Sequence, residues 1–181
     1  MKNNLFALLF SNAVNNGDLS ESNITVGNQN ILFEVEYKNF AWGYMHSGFY
    51  VNKYGEIFSY KYDHNSDLWE PNPDGLYSEQ DLLDKYRPNK RLLKNIDYRE
   101  VAVKKELIPR LVFSDTSIGR LGEPGLGTLS YICYLLDFKK RKYKEIIMHQ
   151  EGDWNFKKQS TAADSLVVWL KQVTNFFGKR P

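Results

Sequence analysis

The chain has little cysteine, little histidine and no hydrophobic run long enough to cross a membrane. Cys133 stands alone, so no intrachain disulfide can form and an oxidising compartment would add nothing to stability. The apolar stretch from Leu5 to Phe10 follows Lys2 and precedes Ser11-Asn12-Ala13. It has the outline of an export signal but is shorter than the usual apolar region of one. A cytoplasmic, non-membrane protein is the expectation. The Asn-, Lys-, Tyr- and Ile-rich composition is of the kind an AT-rich bacterial genome encodes. Charge of one sign is also lacking: the net is +2, which argues against a dedicated nucleic-acid binder.

What is abundant is aromatic. The 12 Tyr, 11 Phe and 4 Trp favour strands and leave room for an aromatic contact surface. The near-zero net charge hides an asymmetry. Residues 1–75 carry 4 basic against 9 acidic side chains, and residues 76–181 carry 20 against 13. An acidic end and a basic end are the expected consequence if the fold keeps the halves apart.

The pattern predicts one α+β domain over residues 1–181, with residues 1–30 partly irregular. Ile31 to Tyr37 alternates, with Phe33, Val35 and Tyr37 on one face and Glu34 and Glu36 on the other, as in a half-buried strand. A second period-two run passes through Phe40, Trp42 and Tyr44. Gly48 to Asn52 and Glu56 to Tyr62 flank Lys53-Tyr54-Gly55, a hairpin signal with Gly55 suited to the left-handed position. Ser78 with Asp81 marks a helix over 78–87 that Pro88 stops, and Asp97 with Glu100 opens another that Pro109 should kink or end. Thr128 to Leu136 and Tyr143 to Gln150 read as a C-terminal hairpin around the basic turn 137–142. Thr161 with Asp164 opens a closing helix whose Ala162, Ala163, Leu166, Val167, Trp169, Leu170, Val173 and Phe177 form one apolar stripe. The fold expected is therefore an antiparallel sheet, meander plus hairpin, packed against about three helices.

Several constellations invite a chemical reading. Asp63, Asn65 and Asp67 alternate like the opening of a calcium loop, with Trp69 and Asp74 at positions seven and twelve. The glycine of the sharp turn is replaced by Leu68 and the final bidentate Glu by Asp74, so an Asx-rich turn is the preferred explanation and no metal is expected. Cys133 and His149 fall on paired strands. If Asp137 opposes Tyr143, then Tyr131 opposes His149, with Cys133 its diagonal neighbour. A buried cysteine usually only packs, and no catalytic residue is assigned. Gly119, Gly122, Gly125 and Gly127 precede a strand rather than a helix, the wrong order for a phosphate cradle, and no cofactor is expected. Two basic runs, Lys139 to Lys142 with Lys144, and Arg87, Lys90, Arg91 and Lys94, can hold phosphate or an acidic partner.

The functional expectation is a non-enzymatic protein-binding module, with a bacterial immunity-type inhibitor as its concrete form. The meander carries aromatics on both faces, and a face left uncovered is a partner surface. Tyr44, Tyr50, Tyr54, Tyr60, Tyr62 and Trp69 are the candidate contacts. Glu34, Glu36, Glu56, Asp63, Asp67 and Glu70 form the candidate acidic rim for a basic partner. The rival expectation is a small hydrolase using carboxylates and histidine of the 63–74 loop, or His149. A deep pocket with converging titratable groups would favour the rival.

Overall fold

A computed structural model describes residues 28–41, 43–63, 68–115, 117 and 119–174. The irregular N-terminal stretch, the apolar run at Leu5, the aromatic Trp42 and the helix-stripe residue Phe177 lie outside the described residues. In chain order the elements are β1 (Ile31–Asn39), β2 (Met45–Asn52), β3 (Glu56–Lys61), β4 (Leu76–Tyr77), α1 (Glu79–Lys85), β5 (Arg91–Asn95) and α2 (Tyr98–Lys105). A 3-10 turn (Ile108–Leu111) follows, then β6 (Arg120–Leu121), β7 (Thr128–Asp137), β8 (Lys142–Gly152), β9 (Trp154–Lys157) and α3 (Thr161–Thr174). Among the described residues, nine strands join one antiparallel sheet in the order β5-β3-β2-β1-β7-β8-β9-β6, with β4 laid against β8. The α+β architecture expected from the pattern is the one observed.

Local chemistry explains where the elements start and stop. Asn52 accepts the backbone N–H groups of Tyr54 and Glu56, and Gly55 sits at φ +82°, so the β2–β3 hairpin turns where the sequence marks it. The Ser78–Asp81 capping box is formed in both directions at the head of α1. Asp97 caps α2, which ends at Lys105 ahead of Pro109. Glu100 does not complete a capping box. Its carboxylate accepts the Trp169 indole N–H at 2.6 Å instead, tying α2 to α3.

The sheet is covered on both sides. On one face Phe33, Val35, Phe49, Val51, Tyr131, Cys133 and Leu135 pack against Val101, Ile108, Leu111 and the whole described stripe of α3, with Phe33 and Trp169 edge to face at 5.2 Å. On the other, Ile31, Tyr50, Tyr60, Tyr62, Ile132, Tyr134 and Tyr143 pack beneath Leu82 and Tyr86, at the end of α1, and Tyr77 of β4. The two aromatic faces of the meander therefore find their cover within the chain.

The C-terminal hairpin reaches the expected Tyr131–His149 pairing by a different route. At its tip Asp137 opposes Lys142, not Tyr143. A bulge between the Tyr131 and Ile132 pairings then restores the register. Strands β4, β5, β6 and β9 were not expected from the pattern. The glycine loop is docked: Gly122 and Glu123 donate to Asp153 and Gly152, and Asp153 donates to Gly127.

Candidate functional site

The alternation of β1 is as expected, but its polar face does not look at solvent. Glu34 and Glu36 point toward α1, where they are buried and meet Lys85, itself buried in the last turn of that helix. Lys85 Nζ lies 2.9 Å from Glu34 Oε2 and 2.9 Å from Glu36 Oε1. Glu34 also accepts the hydroxyls of Tyr60, Tyr134 and Tyr86, the last at 3.0 Å. Glu36 Oε1 receives Lys38 Nζ at 2.9 Å and His46 Nε2 at 2.8 Å. A chain of hydrogen bonds continues outward. The Trp69 backbone N–H donates to the Tyr44 oxygen at 3.2 Å, and the Tyr44 hydroxyl lies 2.8 Å from His46 Nδ1.

Electrostatics agree with this geometry. Burial alone would raise the Glu36 carboxyl, but Lys85, Lys38 and His46 outweigh it and hold the group well below the carboxylate range. Burial tends to lower the Lys85 ammonium, and the flanking Glu34 and Glu36 drive it well above the lysine range instead. Desolvation lowers His46 despite its bond to Glu36, so the ring is neutral at pH 7. That fixes the tautomer: Nε2–H donates to Glu36 and Nδ1 accepts from Tyr44. The ring is clamped by Tyr62, stacked at 4.5 Å, and by Tyr60, edge-on at 5.4 Å. Burial pushes Tyr62 up to about 12, and its hydroxyl donates to the Lys85 carbonyl. Half-buried Glu145 is pushed up to about 7, chiefly by desolvation.

Gly48 makes room for the cluster. Glu36, Gly48 and Tyr60 are successive cross-strand partners, and a Cβ on Gly48 would sit 2.3 Å from Val35 O and 2.8 Å from the Tyr60 hydroxyl. The sequence reading missed His46, Gly48, Lys85, Tyr86 and Tyr134. The available signal was the repetition Glu34, Glu36, Lys38 on one face of a strand otherwise rich in core residues.

The candidate partner surface changes accordingly. Tyr50, Tyr60 and Tyr62 are buried beneath α1, and Glu34 and Glu36 are buried with them, so none of the five can serve as an outward contact or a charged rim. Tyr44 and Trp69 are half-buried, Trp69 packing toward Tyr77 with ring centres 6.1 Å apart. Glu56 is half-buried and bonded to Asn52, whereas Asp63 and Glu70 are exposed. Tyr54 remains outward at 63% exposure. It borders a shallow cleft of about 450 Å³, lined by Lys53, Tyr98, Val101 and Lys105 among others and by no carboxylate or histidine among the described residues.

Asn65 and Asp67 of the calcium-like loop, with His64, lie outside the described residues. Of the remainder, Asp63 accepts from Asn89 and Asp74 from the Leu76 backbone. Cys133 is buried against α3, and desolvation pushes its thiol far up, which disfavours a thiolate. Half-buried His149 is committed through Nδ1 to the Phe156 carbonyl at 3.0 Å.

Comparison with protein-family models, curated proteins and solved structures returns no match, so the chemistry of the site rests on its own residues.

Proposed function

We propose that this chain is a non-enzymatic binding module that engages one protein partner, with an immunity-type inhibitor as its concrete form. The observation that supports it is the enclosure of the charged cluster. Glu34 receives three hydroxyls and an ammonium, and Glu36 receives two ammonium groups and an imidazole; all of these donors except the partly exposed Lys38 are buried. Acid–base catalysis needs a titratable group within reach of a substrate proton. Here such groups are spent on one another, between the sheet and α1, where they fix the helix to the strands. Function is then left to the outer surface.

One observation favours the rival hydrolase. The Glu36–His46–Tyr44 chain has the order carboxylate, imidazole, hydroxyl, and Tyr44 is its half-buried outer member. The two readings separate in one experiment. Tagged full-length protein is used for affinity capture from host lysate, the captured protein is purified, and binding is remeasured by calorimetry. In parallel the protein is assayed on ester, phosphoester and glycoside substrates. A saturable complex with no turnover is expected. Turnover abolished by His46→Gln, with no saturable protein complex, would replace the binding reading by the hydrolase.

A further inference from the structure

Resting on the binding reading, we infer that the β5 edge is the docking surface and that it accepts an extended partner segment alternating acidic and apolar residues, added as a tenth strand. β5 ends the sheet among the described residues, so alternate N–H and C=O groups along it point away from β3. Its apolar side chains are on show: Leu92 is 51% exposed and Leu93 38%.

The register dictates the complementary pattern. Glu34, Tyr50, Phe58 and Leu92 are successive cross-strand partners on β1, β2, β3 and β5. This row runs from the buried cluster, through the stacked rings of Tyr50 and Phe58, to an open leucine at the rim. A partner residue beyond Leu92 would continue an apolar strip already three side chains wide. On the opposite face Arg91 pairs with Ser59 and Lys94 with Ile57, Leu93 being the extra residue of a bulge. Two cations thus flank the leucine position from the other side. Residues 87–96 hold Arg87, Lys90, Arg91 and Lys94 and no acidic residue. Lys90 also stands over the Phe58 ring at 4.4 Å, beside the same strip.

Charge selects the occupant. A second copy of β5 would bring Arg91 and Lys94 against their own equivalents, so the edge repels itself. The same cations attract carboxylates on alternate positions of an incoming strand, with backbone pairing supplying affinity and side chains supplying choice.

The test uses the full chain and two short acetylated fluorescent peptides, one alternating valine with glutamate and the other valine with lysine. Anisotropy is expected to show the glutamate peptide binding at least about tenfold tighter, with the difference shrinking as salt rises. Arg91→Glu/Lys94→Glu should reverse the preference in protein that circular dichroism shows to be folded, and Leu92→Thr should weaken both peptides. Equal binding of the two peptides, or none, overturns the inference. So does self-association in light scattering that the charge-reversed variant abolishes, or an oligonucleotide that outcompetes the glutamate peptide. If the affinity-captured partner binds wild type and the charge-reversed variant alike, the binding function stands and the β5 assignment falls. If capture yields no saturable partner, it is the function that fails.

Discussion

Lys85 and Glu34, 51 residues apart in sequence, meet at 2.9 Å in the interior, and the same ammonium reaches Glu36 at the same distance. One helical lysine thus bridges two neighbouring carboxylates of β1 and pins α1 over the sheet.

Truncating that lysine should be severe. Lys85→Met leaves two buried carboxylates without their shared cation, and a loss of about 3–5 kcal/mol is expected in urea denaturation. The double variant Lys85→Met/Glu34→Gln should recover part of it, because the remaining buried charge is smaller. A double variant that loses as much as Lys85→Met and Glu34→Gln added together would show that the groups do not interact.

Gly48→Ala tests the room left for the cluster. The added methyl meets backbone at Val35 O, which cannot swing away like a flexible side chain, and crowds the Tyr60 hydroxyl. A loss of roughly 2 kcal/mol or more is expected from melts. A variant as stable as wild type would mean that β2 shifts freely there.

The cluster gives stability a defined pH profile. His46 is depressed below its ordinary 6.5, so its contribution is complete above that value and is lost as pH falls through the folded pKa. Glu36 is likewise depressed, and its contribution is complete above 4.5 and lost at lower pH. Glu145 works the other way. Raised from 4.5 to about 7, it contributes fully below 4.5 and loses that contribution as pH rises through 7. Glu145→Gln should therefore gain stability relative to wild type between pH 5 and pH 8, by about 1–3 kcal/mol. Parallel denaturation curves at the two pH values check it, and an unchanged difference would contradict the assignment.

The other face is governed by packing. Leu170→Ala should cost about 2–5 kcal/mol, since Leu170 is fully buried in the α3 stripe. Trp169→Phe removes the donor to Glu100 and should cost about 1–2 kcal/mol in melts. A neutral Trp169→Phe would place the α2–α3 link in aromatic contact alone.

These residues mark how far the sequence could be read. Local signals were sufficient for Ser78 with Asp81, Gly55 and the α3 stripe, because capping, turn and periodicity each act within a few positions. The Tyr131–His149 pairing was reachable, though a bulge was needed to realise it. The polar face of β1 was misjudged because alternation gives a side chain's face, not what lies over it. Only tertiary approach of α1 turns Glu34 and Glu36 from a solvent rim into buried acceptors. β5 escaped because Arg91-Leu92-Leu93-Lys94 has neither a two- nor a four-residue period, its bulge displacing the alternation.

We infer that the charged cluster is structural and that the partner is met outside it. The most direct measurement is calorimetric binding of the captured, purified partner to wild type, His46→Gln and Arg91→Glu/Lys94→Glu, with melting temperatures taken alongside. His46→Gln keeps a donor toward Glu36 while removing the imidazole. It is expected to bind within about twofold of wild type, whereas the charge-reversed edge should lose at least about tenfold while remaining folded. Loss of binding in the folded His46→Gln protein, with the edge variant unaffected, would contradict the claim.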